Sequence, residues 1–257
     1  MTTTRLLSWN VNGIRAVEKK GFLNWLQETA PDILCLQETK AIPDQLGSAL
    51  LYPAGYHAYW DFGERKGYSG VSIFSREAPS KVTRGFGAER FDVEGRVLVA
   101  RYPGFLLFNV YFPNGQRGDA RLSYKLEFYD AFLDHIVALK NQGEKLVICG
   151  DYNTAHTALD LARPKENSKR SGFLPEERVW LDRLIASGFV DTFRMFHSEG
   201  GHYTFWDAKS RARERDVGWR VDYFFVSENL RDSVVDAGIL NEVMGSDHCP
   251  VSLTLAA

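Results

Sequence analysis

Cysteine is scarce in this 257-residue chain: Cys35, Cys149 and Cys249 are far apart, with no Cys-x-x-Cys spacing. An odd, scattered set argues against a disulfide framework or a thiolate zinc site, and fits a reducing compartment. Cys35 and Cys149 sit inside apolar runs and read as small buried hydrophobes. Long apolar stretches are missing too. No segment approaches the length of a membrane span, and Met-Thr-Thr-Thr-Arg at the start lacks the apolar core of a secretory signal. A cytoplasmic protein without a membrane partner is therefore expected. There is no Ser/Gly linker, charge block or low-complexity tract, so residues 1–257 are expected to form a single domain. Net charge is only −2, which neither demands nor excludes a polyanionic partner.

What is present is an ordinary globular composition, 44% hydrophobic and 25% charged, in a chain long enough to bury a sizeable core. Short apolar or alternating runs predict strands at 6–11, 33–36, 56–60, 70–74, 97–101, 105–111, 146–149, 221–226 and 250–255. Phe22, Leu23, Trp25 and Leu26 predict a helix over 18–28, with Pro31 beyond it. Leu122, Leu126, Tyr129, Leu133 and Ile136 mark one face of a long helix, and 176–187, between Pro175 and Gly188, is another. This mixture favours an α/β fold of two mixed sheets packed face to face, with helices on the outer faces. The main alternative is one doubly wound parallel sheet, but no Gly-x-Gly-x-x-Gly follows any strand. A faint internal echo, strand-Asn-x-Asn at 10–12 and strand-Asp-x-Asn at 151–153, suggests two similar halves facing each other.

The chemistry gathers at strand ends. Leu146 to Cys149 reads as a strand buried on both faces; Gly150 then breaks it, and Asp151 and Asn153 follow. Taken alone, such a pair is as readily a turn satisfying its own backbone as a functional group. Asn10 and Asn12 follow another buried run, and Glu38 a third. Near the C-terminus the order reverses: Asp222 opens a strand, and Asp247-His248 precedes the last one. If the late strands run antiparallel to the early ones, all these groups share one rim. Clustered carboxylates repel unless a proton or a cation intervenes. Oxygen ligands without a Cys or His grouping favour Mg²⁺ or Mn²⁺ over zinc, and one His beside a carboxylate suits a fixed imidazole. Such a rim suits metal-assisted hydrolysis of a phosphate ester.

The chain resembles the exonuclease III type of abasic-site endonuclease nearly end to end. The resemblance rests on Ser-Trp-Asn-Val-Asn-Gly-Ile-Arg at 8–15, Leu-Gln-Glu-Thr-Lys at 36–40, Lys-Gly-Tyr-Ser-Gly-Val at 66–71 and Tyr-Phe-Pro-Asn-Gly at 111–115. Gly-Asp-Tyr-Asn-Thr-Ala-His at 150–156, Ser-Gly-Phe-Leu-Pro-Glu-Glu-Arg at 171–178, Val-Gly-Trp-Arg-Val-Asp-Tyr-Phe at 217–224 and Gly-Ser-Asp-His-Cys-Pro at 245–250 extend it. The Asp-His and Gly-Asp-x-Asn pieces belong to the wider superfamily. Val-Gly-Trp-Arg-x-Asp-Tyr and Asp-Leu-Ala-Arg-Pro-Lys point to this branch.

The resemblance implies a four-layer α/β sandwich and Mg²⁺-dependent cleavage of double-stranded DNA 5′ to an abasic site, leaving a 3′-hydroxyl; Mn²⁺ is expected to substitute. Exonuclease activity from 3′ ends and cleaning of blocked 3′ termini accompany it in the family. By position Glu38 is the chief metal ligand, with Asn10 and Asp247 close by. His248 pairs with Asp222 and contacts the scissile phosphate. Asp151 orients or deprotonates water, or protonates the leaving oxygen. Asn153 and Tyr111 position water and phosphate, and Phe205, Trp219 and Val221 line the pocket for the flipped-out sugar.

Residues 163–170 carry four basic residues against one acid, and 207–220 five against three, with Trp206 and Trp219 flanking. Such loops suit contact with a nucleic-acid backbone. Arg117, Arg163, Lys165, Asn167, Lys169, Arg170, Lys209 and Arg211 are the DNA-binding candidates. Departures from the family's pattern are Asn12 where some relatives carry Asp, Val221 where relatives have Leu, and Arg170 where Asn is frequent. The chain also lacks the long N-terminal extension of animal members, so a compact monomer without a partner-binding tail is expected. Two other readings remain: a lipid or inositol phosphoesterase of the same superfamily, and a catalytically dead DNA-binding relative. No role is assigned to Lys125, His57, His135, His197 or His202.

Overall fold

A computed structural model describes residues 3–116 and 118–256. Its strands are β1 (Thr3–Asn10), β2 (Ile33–Gln37), β3 (His57–Asp61), β4 (Val71–Ser75), β5 (Lys81–Arg84), β6 (Val97–Arg101), β7 (Leu106–Tyr111), β8 (Leu146–Asp151), β9 (Phe189–Asp191), β10 (Asp222–Ser227), β11 (Val234–Ile239) and β12 (Val251–Ala256). They form two six-stranded sheets, β11-β12-β1-β2-β4-β3 and β5-β6-β7-β8-β10-β9. Three apolar layers hold them. Ile33, Leu107, Val147, Phe224 and Leu253 fill the space between the sheets. Trp9, Phe22, Leu26 and Phe74 pack helices on the outside of the first sheet; Phe128, Phe132, Trp180 and Phe108 do so on the second. This is the α/β sandwich of two mixed sheets expected from the sequence.

The two halves echo each other. β1 pairs parallel with β2 and antiparallel with β12; β8 pairs parallel with β7 and antiparallel with β10. Side chains alternate across a strand. Leu6 on β1 and Val147 and Cys149 on β8 point into the inter-sheet layer. On the same parity come Asn10, four residues after Leu6, and Asp151, two after Cys149. Tyr111, on the parity of Leu107, and Asp222, on that of Phe224, follow the same rule. Pleating alone therefore aims four polar residues into the seam between the sheets, at one end.

Below that end the seam is polar and closed. Gln37 Nε2 donates to Ser8 Oγ (2.9 Å) and Asn109 Oδ1 (2.7 Å), and Asn109 Nδ2 donates to the carbonyls of Leu36 and Ser72. These bonds satisfy polar groups that burial would otherwise penalise, and they fix one sheet against the other directly beneath the rim.

Several local expectations are corrected. Gly150 does not end its strand: β8 runs on to Asp151, and Gly150 is needed because a Cβ there, at φ +141°, would lie 1.8 Å from the Val110 carbonyl oxygen. The helix expected over 18–28 is two, Ile14–Glu18 and Phe22–Thr29, separated by Gly21 in the left-handed region. β5, β9 and β11 were not foreseen. The long helix Asp119–Asn141 buries Lys125, Phe128, Tyr129, Phe132, Leu133 and Ile136, leaving Leu122 and Leu126 only half-buried. All three cysteines are free and buried.

Candidate active site

The turns after β1 and β8 are the same device. Asn10 Oδ1 accepts from the Asn12 amide (2.9 Å), and Asp151 Oδ1 accepts from the Asn153 amide (2.8 Å); Asn12 and Asn153 both have positive φ, 45° and 52°. One side-chain oxygen of each thus serves its own backbone, as in an Asx turn. The remaining atoms face each other across the seam, with Asn10 Nδ2 donating to Asp151 Oδ2 at 2.8 Å and to Glu38 Oε1 at 2.9 Å. Glu38, just past β2 with φ 50°, also meets the Lys40 ammonium, 2.7 Å from its Oε2. Lys40 in turn bonds Asn12 Oδ1, and Asn12 Nδ2 donates to both oxygens of Asp247. Glu38 and Asp247 are therefore linked through an ammonium and an amide.

β10 and the approach to β12 supply the other wall. His248 Nδ1 lies 2.8 Å from Asp222 Oδ2, which also accepts from Thr204 Oγ1 at 2.6 Å; Asp222 Oδ1 is buried with no partner among the described residues. Asp222 stands opposite Asp151 in the β8–β10 ladder, and ligand atoms of Asp151, Asp222 and His248 all lie within 4.8 Å of one another. The electrostatics follow. Burial, then the charge of Asp222, pushes the Asp151 carboxyl up to about 7, against a smaller opposing effect of His248. Burial favours neutral His248, but the Asp222 charge and hydrogen bond outweigh it and raise the imidazole to about 10. Burial also works to raise Glu38, yet Lys40 and the bond from Asn10 hold it below the ordinary carboxylate range. Tyr111 stays a neutral donor, its phenol raised by burial and by the Glu38 charge. At neutral pH the rim therefore offers an imidazolium, an ionised Glu38 and an Asp151 near half-protonation.

Asn153 is held from both sides: its Nδ2 donates to the Phe112 carbonyl (2.9 Å) and Asp151 Oδ2 (3.2 Å), while its Oδ1 accepts from Asn114. An apolar cluster adjoins. Phe205 and Trp219 exchange backbone bonds of 2.9 Å and pack with Val221, Leu161 and Phe173; the Phe205 ring lies 4.8 Å from that of His248. Phe205, Trp219 and Val221 thus come together, beside the imidazole.

The basic loops are less open than their composition suggests. Arg163, Lys165, Lys169, Arg170, Lys209 and Arg211 are exposed. Asn167 is buried, donating to the Arg163 carbonyl and accepting from Arg170. Trp206 is buried beneath Arg213, which binds the carbonyls of Asn241 and Val243. Arg220 is locked between Asp160 and Asp191. Of the five cations in 207–220, only Lys209, Arg211 and Arg215 face solvent. A groove of about 670 Å³ runs from Asn12 and Asp247 past Trp206 to Arg211 and Met244. Arg117 lies outside the described residues.

Sequence reasoning missed three contributors. Thr204 orients Asp222. Lys125, fully buried, donates to the Asn153 carbonyl (2.8 Å), Thr154 Oγ1 (2.7 Å) and Glu177 (2.7 Å), so it shapes the turn carrying Asn153. Arg96 stands 4.7 Å from the centroid of the Tyr111 ring and bonds Tyr68 of the Lys-Gly-Tyr-Ser-Gly segment, the one signal that pointed there.

The fold and this rim define a class, the metal-assisted phosphoesterases built on two facing sheets. Residues 7–248 match the Endonuclease/Exonuclease/phosphatase family, and the chain belongs to it. It is 44% identical to an exodeoxyribonuclease of Bacillus subtilis over 98% of this chain and 99% of the relative. It is equally 44% identical to a DNA repair nuclease of Danio rerio, over 98% of this chain and 82% of the relative. Among solved structures, an AP endonuclease from Leishmania major superposes with a TM-score of 0.90 at 31% identity, covering 99% of this chain and 88% of the other. A 3′ phosphatase from Neisseria bound to a product DNA hairpin gives 0.90 at 30% identity, covering 99% and 100%.

Proposed function

We propose that this DNA-repair nuclease uses Mg²⁺ to hydrolyse the phosphodiester 5′ to an abasic site in duplex DNA, leaving a 3′-hydroxyl, and that it trims and cleans 3′ ends with the same residues. The observation that carries the reading is the meeting of Asp151 with the His248–Asp222 pair beside the apolar Phe205–Trp219–Val221 cluster.

Glu38, Asn10 and Asp247 would hold the metal. The donor set fits: it is oxygen only, as a hard divalent cation requires. The Lys40 ammonium already meets a demand for positive charge there, bonded to Glu38 and, through Asn12, linked to Asp247. A bound Mg²⁺ supplies charge neutralisation at the phosphate oxygens. The chain's own residues do the rest. Protonated His248, oriented by Asp222 and Thr204, donates to a phosphate oxygen. Asp151, raised to about 7, takes a proton from water, or passes a proton to the leaving 3′ oxygen; such a carboxyl suits both duties near neutral pH. Asn153 and Tyr111 donate as neutral groups. The apolar cluster takes a sugar that has no base to keep it stacked, which supplies selectivity.

Residues 1–257 act in this reading as a single-domain monomer in the cytoplasm; no helix among the described residues is long and apolar enough to cross a membrane. The exposed cations at 163–170 and 209–215 track the DNA backbone. The test is a labelled duplex with one synthetic abasic site, set against undamaged duplex and inositol phosphates, with Mg²⁺, with Mn²⁺ and with EDTA. Nicking 5′ to the lesion that needs the metal is expected. Phosphate release from the small molecules without nicking would overturn the substrate.

A further inference from the structure

Outside the rim, the loop after the 3-10 turn Phe193–Met195 gathers His197, Glu199 and His202, with one ligand atom of each within 4.8 Å of the others. We propose that this loop is a second metal site, selective for Zn²⁺-class cations (Zn²⁺, Co²⁺, Ni²⁺) over Mg²⁺. Two imidazoles and a carboxylate suit these borderline ions, whereas Mg²⁺ prefers oxygen alone.

The spacing fits. His202 Nε2 lies 2.9 Å and His197 Nδ1 3.9 Å from the same atom, Glu199 Oε1. Ligands roughly 2.0–2.1 Å from a tetrahedral ion stand about 3.3–3.4 Å apart. The two observed separations bracket that value, and small rotations of accessible side chains reconcile them. The rings are not loose. Phe193 stacks on His197 with centroids 4.3 Å apart and meets His202 edge-on at 5.3 Å. Arg194 donates to the carbonyls of both His197 and Glu199, which fixes the loop, while its own charge is met by Asp160. The side chains of His197, Glu199 and His202 are 34%, 63% and 35% exposed, so an ion enters without local unfolding.

Three protein ligands leave a fourth position for water, the arrangement of an open rather than a sealed site. The position within the chain gives it reach. His202 is two residues before Thr204, whose hydroxyl bonds Asp222, and three before Phe205 in the apolar cluster. An ion held here ties the start of that segment to the Phe193 turn.

The probe is Zn²⁺ itself, titrated calorimetrically into the full chain in saturating Mg²⁺, with Co²⁺ absorption as a second readout. The His197→Ala/His202→Ala double variant is expected to bind one equivalent of Zn²⁺ fewer than the parent and to lose a visible Co²⁺ band. Glu199→Gln is expected to weaken that equivalent at least 10-fold. Both variants should keep Mg²⁺-dependent nuclease activity, because none of these residues stands at the rim. Equal Zn²⁺ stoichiometry in parent and folded double variant would overturn the proposal. If the double variant does not fold, Glu199→Gln decides: its side chain keeps its shape, and an unchanged Zn²⁺ affinity would be equally fatal.

Discussion

Asp151 uses its two oxygens for different ends. Oδ1 closes a backbone turn through the Asn153 amide, and Oδ2 faces Asn10 across the seam. The turn and the cleft are thus one arrangement: the pair that closes its own backbone also faces the seam. Asp151→Asn keeps the shape and removes the titrating group. It should lower the incision rate by about 10²–10⁴-fold, the usual worth of a positioned acid or base, with duplex binding retained. Single-turnover rates and a binding titration check this, and lost binding with an intact fold would contradict it. Residues at strand ends were legible because alternation and polarity mark them. Thr204 and Lys125 were not, since nothing in one sequence says which distant carboxylate a buried hydroxyl or ammonium will meet. The same blindness counted Asn167, Arg213 and Arg220 among the loop groups facing solvent, whereas each is consumed by a local or buried partner.

At the scale of elements, strands with apolar runs were readable, whereas three of the four edge strands, β5, β9 and β11, were not. β5 is Lys-Val-Thr-Arg with none of it fully buried, and β11 buries only Ala237 fully; neither carries the hydrophobic pattern that pairing against a covered sheet creates. The helix at 18–28 was overextended because its apolar spacing hid the left-handed Gly21. Two buried ion pairs join elements here. Lys125 links helix Asp119–Asn141 to helix Pro175–Ala186 through Glu177 and to the turn after β8. Lys125→Met leaves Glu177 short of its counter-charge and should cost about 3–5 kcal/mol. Denaturant midpoints would show it, and adding Glu177→Gln should restore part of the loss. Asp160 joins its 3-10 turn to the segment leading into β10 through Arg220, with Arg194 as a second partner. Burial works against its ionised form, but the two guanidinium groups prevail and lower its carboxyl to about 2. The contribution to stability is therefore fully present above an ordinary aspartate pKa of about 4 and disappears as pH falls toward 2. It amounts to about 2 kcal/mol, with roughly 1 kcal/mol gone by pH 3. Urea midpoints from pH 5 to 3 should fall faster for the parent than for Asp160→Asn, which lacks this titration.

For the whole molecule, a net charge of −2 says little, because cations and carboxylates are sorted in space. Glu38, Asp151, Asp222 and Asp247 gather at the rim, while Arg163, Lys165, Lys169, Arg170, Lys209 and Arg211 remain exposed on two loops. Binding to duplex DNA should weaken steeply with salt. Lys165→Ala or Lys209→Ala should reduce the slope of log K against log salt by about 1 each without altering preference for the lesion. A slope unchanged in both would remove these loops from the contact surface. The two-sheet architecture was legible from the mix of elements and the strand-end echo. The order of strands within each sheet was not, because pairing partners are set by distant segments.

The pairing of β1 with β12 joins Thr3 to Ala256 and Ser8 to Val251. β1 therefore waits for β12 before its sheet is complete, and His248 comes just ahead of β12 in the chain. A nascent chain halted short of His248 has Asp151, Glu38 and Asn10 but neither the imidazole nor the strand that holds β1 in place. The hydrolysis proposed above should therefore appear only once β12 has paired with β1, whereas the basic loops that would track DNA are already in place.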